Sequence, residues 1–275
     1  MGVASATLTP RWGSVGALPT LLPADVVATL RAAGCVFAED EARLLTDAAR
    51  SPAHLAALVD RRVSGEPLEH LLGWAEFGGL RIAVGPGVFV PRRRTELLVD
   101  LAVPLLRPGS VVVELCCGAA AVATALGAAV PGLVLHAVDI DPAAVRCAAR
   151  NLGPVDGRAY VGDLDAPLPA TLHGRVDVVV ANAPYVPTDA IALMPPEARD
   201  HEPAVALDGG ADGLDVQRRV AAAAPRWLAP GGSLLIETSE RQAPLTAAAV
   251  AAAGLVPRVE RDDERDGTAV VGVRA

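Results

Sequence analysis

The chain has 275 residues, 52% hydrophobic and 20% charged, a balance that excludes disorder over most of its length and suffices for one large domain or two small ones. Its 24 basic residues are all arginine and face 32 acidic ones, for a net charge of −8; such a chain lacks the basic patch that grips nucleic-acid phosphates or an anionic membrane. Four cysteines (Cys35, Cys116, Cys117, Cys147) form no CxxC pair, which excludes a zinc ribbon and a disulfide framework and indicates reduced thiols, so no metal site is expected.

Residues 1–18 are rich in small and turn-forming types without a period and read as a loose leader; the basic, apolar and cleavage-site series of a signal peptide is missing. Residues 19–72 carry apolar positions at helical spacing (Val26, Val27, Leu30, then Leu44, Leu45) and read as a small helical domain. In residues 73–91, Phe77, Leu80, Ile82, Val84, Val88 and Val90 alternate with Gly78, Gly79, Gly85, Pro86 and Gly87, the pattern of a β-hairpin linker.

From residue 92 onward helical and apolar segments alternate. Helices are predicted over Glu96–Leu106, Ala121–Ala129, Pro142–Asn151, Gln217–Leu228 and Ala243–Ala253. Strands are predicted over Val111–Leu115, Val134–Val138, Asp177–Ala181 and Ser233–Glu237, with a last one over Ala269–Val273 that leaves room for a reversed strand. Nearly continuous apolar strands separated by helices predict an α/β class with a mostly parallel sheet covered on both faces. The apolar stretch Val111–Val138 is interrupted by Glu114, Pro131, Gly132 and His136 and is read as strand, helix and strand, not as a membrane span.

Ligands of doubly wound sheets sit outside the carboxyl ends of the strands, which here present Cys116-Cys117-Gly118, Asp139, Asp163 and Asn182. Asp139 stands where a carboxylate accepts both hydroxyls of a ribose, and Asp163 where one accepts from an exocyclic adenine amine. Either Asp could equally be a cap or turn residue, a duty that Asp141-Pro142 is also fitted for. The first turn has a single glycine, Gly118, not the Gly-x-Gly-x-x-Gly that a pyrophosphate requires. S-adenosylmethionine has no pyrophosphate and fits better, with Glu114 as a partner for its ammonium.

Asn182-Ala183-Pro184-Tyr185 follows a strand. An amide nitrogen is a poor nucleophile because its lone pair is delocalised, so an enzyme that methylates it must hold it in line with the sulfonium carbon. The Asn182 side-chain oxygen and the Ala183 carbonyl can each accept one N–H of such a nitrogen, while Pro184 stiffens the turn and Tyr185 supplies a flat wall. Adjacent Cys116 and Cys117 read as small buried hydrophobes, and His201 as a loop residue ordering the pocket. Arg92, Arg93 and Arg94 read as a solvated loop from which Arg92 alone faces the site.

With these strings in place, the sequence from Gly65 onward resembles the bacterial glutamine methyltransferases that modify peptide-chain release factors. The resemblance is carried by Gly65-Glu66-Pro67-Leu68, Glu76 to Leu80, Phe89-Val90-Pro91-Arg92, Thr95 to Leu98, Val138-Asp139-Ile140, Gly162-Asp163-Leu164, Asn182 to Tyr185, His201-Glu202-Pro203 and Asp212-Gly213-Leu214. It implies a class I methyltransferase domain over residues 92–275 preceded by a substrate-recognition domain, and methyl transfer from S-adenosylmethionine to the glutamine amide of a Gly-Gly-Gln loop. It implies donor contacts from Glu114, Cys116, Cys117, Gly118, Asp139, Ile140, Asp163, Leu164 and Asn182. Catalytic contacts would come from Asn182, Ala183, Pro184 and Tyr185, and substrate contacts from Phe89, Pro91, Arg92 and Glu202. A monomeric cytoplasmic enzyme that binds release factors, touches neither nucleic acid nor membrane, and leaves S-adenosylhomocysteine as product is expected. The family's usual Asn-Pro-Pro-Tyr has Ala183 here, its Gly-rich cofactor turn is replaced by Cys116, Cys117, Ala119 and Ala120, and Arg93-Arg94 stand for a Pro-acid pair. These departures point to a divergent branch; the alternatives are another amide or amine acceptor, such as a ribosomal protein or small natural product, or a catalytically weak cofactor-binding interaction module.

Overall fold

A computed structural model describes residues 24–275, so the leader and residues 19–23 of the helical segment lie outside the described residues. Residues up to Val63 and from Ser64 form two separate compact units. In the first, α1 (Ala24–Ala32), α2 (Ala38–Ala48) and α3 (Pro52–Val63) bury Leu30, Leu45, Leu58 and Val59, and the nearly buried Arg62 guanidinium holds Glu41 at 2.6 Å.

The division falls at Val63/Ser64, earlier than the composition change after Leu72 suggested. The next helix, α4 (Leu68–Leu72), belongs to the second unit because its buried His70 bonds through Nε2 to the Val88 carbonyl at 2.8 Å. The hairpin is also shorter than its apolar alternation implied. β1 (Trp74–Phe77) and β2 (Leu80–Ala83) pair across Gly78 and Gly79, both with positive φ, as a twisted two-residue turn requires. Residues 84–91 leave the ladder at Gly85-Pro86-Gly87, and Val88 and Val90 are buried without strand partners.

The core of this unit is a seven-stranded sheet. It is built with α5 (Glu96–Ala102), β3 (Val111–Leu115), α6 (Ala121–Ala129), β4 (Val134–Asp139), α7 (Pro142–Leu152), β5 (Arg158–Val161) and β6 (Val176–Ala181). There follow α8 (Pro196–His201), α9 (Ala204–Leu207), α10 (Asp215–Trp227), β7 (Leu228–Glu237), α11 (Ala243–Ala252), β8 (Val256–Asp262) and β9 (Gly267–Val273). The strand order is β5-β4-β3-β6-β7-β9-β8, parallel except for β9, which runs against both β7 and β8. The α/β class with a mostly parallel sheet is therefore the fold. One apolar layer on the sheet gathers Leu98, Leu126, Leu135 and Leu152; the other gathers Val220, Trp227, Leu234 and Val250.

Three local differences have simple causes. α5 stops at Ala102 and tightens into a 3₁₀ turn, since Pro104 has no N–H to continue the helix. β5 and β8 escape an apolar reading because they are the two edges of the sheet, and β8 (Val-Pro-Arg-Val-Glu-Arg-Asp) is mostly exposed. His201 ends helix α8 and is not a loop residue. Among the described residues no helix is long and apolar enough to cross a membrane.

The hairpin is tied to the sheet by one buried side chain. Asn151 of α7 accepts from the Ala83 N–H at 2.8 Å and donates to the carbonyls of Ala83 (2.9 Å) and Ala119 (2.8 Å). Asn151→Ala leaves all three backbone groups unpaired, and is expected to cost about 2–4 kcal/mol of unfolding free energy. Urea denaturation checks this; a loss below about 1 kcal/mol would mean that water takes over the amide's bonds.

Candidate active site

From β3 the chain moves one way to β4 and β5 and then returns past β3 to β6 and β7, so the direction reverses between β3 and β6. A crevice necessarily opens outside the carboxyl ends of these neighbours, because the connections leave on opposite faces. A cavity of about 220 Å³ lies there.

The backbone after β3 turns sharply, with Cys116 (φ 54°), Gly118 (φ 52°) and Ala120 (φ 56°) in the left-handed region. Two of these carry a Cβ, so the turn stores strain of about 1 kcal/mol at each. The Cys117 N–H holds it to the Val138 carbonyl at 3.0 Å. A Cβ built at Gly118 would meet no heavy atom within 4 Å, so the turn leaves open space for a ligand although the glycines around it are missing. Cys116 and Cys117 are free thiols, and burial pushes both well above the ordinary cysteine range, which makes them inert wall residues.

Ala120 cannot cap α6, and the buried Glu114 does so from below, accepting the Ala123 N–H at 2.7 Å. Burial pushes its carboxyl up to about 8 against the pull of the Ala123 and Val122 amides. It also lines the cavity.

Asp139 ends β4. Its two oxygens accept from the Gly118 N–H (2.8 Å) and the Asp141 N–H (2.9 Å), and the residue lines the cavity. Burial raises its carboxyl and these two bonds lower it. Helix α7 is capped by Asp141, which accepts from Ala143 at 2.7 Å, so Asp139 is released from that work. The neighbouring Ile140 is half exposed at the cavity mouth. Asp163 and Leu164, past β5, also line it, and Asp163 is shared with Arg219 of α10 at 2.7 Å.

At the end of β6, Asn182, the buried Ala183, Pro184 and Tyr185 face the same cavity. The Asn182 Nδ2 donates to Thr95 Oγ1 at 3.2 Å. The Tyr185 hydroxyl donates to Glu237 at 3.3 Å, and Arg94 Nε reaches the same carboxylate oxygen at 3.4 Å. Burial and the adjacent Glu237 charge push the Tyr185 phenol up to about 12. The loop past Tyr185 is pinned by Gln242, whose Nε2 donates to the carbonyls of Tyr185 (2.9 Å) and Asp212 (3.1 Å). Gly213 has φ 78°, and a Cβ there would sit 2.3 Å from the Tyr185 carbonyl oxygen, so only glycine permits this approach.

On the remaining wall, Glu202 Oε1 accepts from the Val90 N–H (3.1 Å) and from Arg92 (2.6 Å), and the Arg92 guanidinium lies 5.2 Å from the Phe89 ring centroid. Phe89, Pro91, Arg92 and Glu202 all line the cavity.

The expectation that Arg92 alone of the three arginines faces the site is corrected: Arg94 lines the cavity too, because the 3₁₀ turn Arg93–Thr95 rotates it toward Glu237. Sequence reasoning also passed over Thr95, Glu237 and Arg219. Glu237 had the same signal as Asp139 and Asn182, since it ends a parallel strand of the same sheet. Arg219 had none, because a helix residue reaches this crevice only through the packing of α10.

The Methyltransferase small domain family matches over residues 80–194. A release factor glutamine methyltransferase of Mycolicibacterium smegmatis is 43% identical over 203 residues, 72% of each chain. One of Streptomyces coelicolor is 43% identical over 189 residues, 67% of each. The crystal structure of a methyltransferase from Pyrococcus furiosus superposes with a TM-score of 0.52 over 72% of this chain and 90% of that one, at 17% identity, a likeness of fold alone. Identity of 43% over two thirds or more of the length makes this chain a member of the release factor glutamine methyltransferase family.

Proposed function

We propose that this chain transfers a methyl group from S-adenosylmethionine to the side-chain amide nitrogen of the glutamine in the Gly-Gly-Gln loop of peptide-chain release factors. The observation that carries the reading is that Asn182–Tyr185 and the carboxylate of Asp139 open onto one cavity, so a carbonyl pair and a nucleoside site share a single space.

The residues present fit the donor. Open space beside Gly118 accommodates its amino-acid tail, with Glu114 in reach of an ammonium; Asp139 has free lone pairs for a ribose diol; Ile140 and Leu164 offer apolar faces to the base, and Asp163 an acceptor. Bound, S-adenosylmethionine supplies an electrophilic methyl on a sulfonium. The Asn182 Oδ1 and the Ala183 carbonyl accept the two N–H groups of the target amide and so set the direction of its remaining face. Positioning of this kind is worth on the order of 7–11 kcal/mol of barrier for reactants in ideal alignment. Tyr185 and Pro184 wall the planar amide, and no base is needed before transfer because the proton leaves late. Phe89, Pro91, Arg92 and Glu202 receive the residues flanking the glutamine, and the helical unit before Val63 recognises the rest of the release factor. The net charge of −8 accords with a protein acceptor and an enzyme that works without nucleic acid or membrane contact, as a cytoplasmic monomer.

Incubating the full chain with methyl-labelled donor and a release factor tests the reading. Label is expected in the Gly-Gly-Gln peptide, and none when that glutamine is replaced by alanine. Absence of label in the intact factor, or label elsewhere in it, overturns the assignment.

A further inference from the structure

The turn that carries the acceptor-holding oxygens is fixed at its start by the sheet and at its end by the Gln242 amide. Ala181 closes β6 in register with Ile236 of β7. At the far end the Tyr185 carbonyl accepts from Gln242 Nε2 at 2.9 Å, and the same NH₂ group donates to the Asp212 carbonyl at 3.1 Å. Gln242 is buried, and its Oε1 accepts the Ser239 hydroxyl at 2.6 Å. Carbonyl oxygens only accept, so both hydrogens of the amide are committed and its orientation is set. One side chain past the end of β7 thus ties the turn after β6 to the turn that opens α10. Gly213 makes room for this junction, since a Cβ there would lie 2.3 Å from the Tyr185 oxygen and 2.4 Å from Gln242 Nε2.

We propose that Gln242 is a positioning residue that sets where the Asn182 and Ala183 oxygens stand relative to the bound methyl donor. Gln242 does not itself line the cavity, so it acts through Tyr185. Pro184 fixes one φ but has no N–H, and Ala183 has no polar side chain, so the placement of the middle of the turn follows from its two ends. The donor wall is held by other bonds, from the Cys117 N–H to the Val138 carbonyl at 3.0 Å and from the Gly118 N–H to Asp139 at 2.8 Å. Acceptor turn and donor turn are therefore fixed separately, and Gln242 governs the first alone. A misplacement of about 1 Å at a reacting centre costs on the order of a hundredfold in rate, so a bond that holds one of two reactants in line matters most in the chemical step. This inference rests on the proposed reaction and adds to it a group outside the cavity that sets its geometry.

Gln242→Met in the full chain tests it, because the thioether keeps the length of the side chain and has no hydrogen to give. The expected result is a fall in kcat of about tenfold, with acceptor KM and donor dissociation constant within about twofold. On an Asn182→Ala background the same change is expected to cost less than about threefold, since one of the two groups it positions is already gone. Hydrogen exchange gives a readout that needs no acceptor. The amides of Val186 and Gly209, which bond to the carbonyls of Leu207 and Val186, are expected to exchange at least about tenfold faster in Gln242→Met, while Cys117 and Gly118 exchange as in the parent. Should Gln242→Met fail to fold, Gln242→Glu is measured in the same way; a carboxyl has at most one hydrogen for the two carbonyls, so a fall in kcat of at least about threefold and faster exchange at the same two amides are expected. An unchanged kcat, a donor dissociation constant that rises as much as kcat falls, a full tenfold cost on the Asn182→Ala background, or exchange that quickens at Cys117 and Gly118 as much as at Val186 overturns the proposal. If the parent labels no release factor but Val186 and Gly209 alone respond, Gln242 holds the turn and the acceptor assignment falls.

Discussion

The Asn182→Ala variant is expected to turn over on the order of a hundredfold more slowly than the parent while its KM for the release factor moves by less than about threefold. The acceptor nitrogen has little nucleophilicity of its own, so the enzyme works by holding it on line, and that hold is stronger in the transition state, when the amide nitrogen gains positive character and its N–H groups become better donors. In the proposed arrangement alanine removes one of the two acceptors and leaves the Ala183 carbonyl, which would fix the amide about one axis only. It also strips Thr95 of its partner at the end of β6. Single-turnover transfer of labelled methyl, with donor and enzyme in excess, reads the chemical step directly. A change in acceptor KM with unaltered kcat would contradict positioning and assign Asn182 to ground-state binding.

The second large effect is on donor affinity. Asp139→Ala is expected to weaken binding of S-adenosylhomocysteine by at least about a hundredfold, since two charge-assisted bonds to a ribose diol are worth a net of about 1.5–3 kcal/mol each. The structure adds a second reason. The same carboxylate ties down the Gly118 N–H at 2.8 Å, so its removal also loosens a turn in which Cys116 and Ala120 are held at positive φ. Asp139→Asn acts on both contributions at constant volume: it removes the charge and sets an NH₂ against one of two backbone N–H groups, at Gly118 or at Asp141. Calorimetry should therefore show Asp139→Asn weakened as well, and a dissociation constant unaltered in both variants would remove Asp139 from the donor site.

Most of the sheet could be read along the chain, for a definite reason. β3, β4, β6 and the second half of β7 lie between neighbours and are covered on both faces, so their residues are mostly apolar and stand out against the helices that separate them, whereas Leu228–Gly232 of β7 was hidden by its Pro-Gly-Gly run. The helix Ala121–Ala129 likewise starts and stops where predicted. The edges were silent: β5 and β8 are exposed enough to carry Arg158, Arg258, Glu260 and Asp262, and polar residues at an edge carry no period that distinguishes strand from loop. Val88 and Val90 misled in the opposite direction, because they alternate like a strand but are buried with their backbone groups bonded to the side chains of His70 and Glu202 and not to a strand.

For the site, chain order and residue type determined which groups end the parallel strands, and hence that Gly118, Asp139, Asp163 and Asn182 meet at one edge; topology places every such end on the same side of the sheet. What chain order cannot contain is which groups face one another across that edge. That Arg94 turns inward to Glu237, that Asp163 pairs with Arg219, and that Thr95 meets Asn182 were decided only when the turn before α5, the end of β6, β7 and α10 packed together. The reason is physical: a strand's end is a property of local periodicity, whereas the partner of a buried polar group is chosen by the three-dimensional requirement that every donor and acceptor taken from water find another.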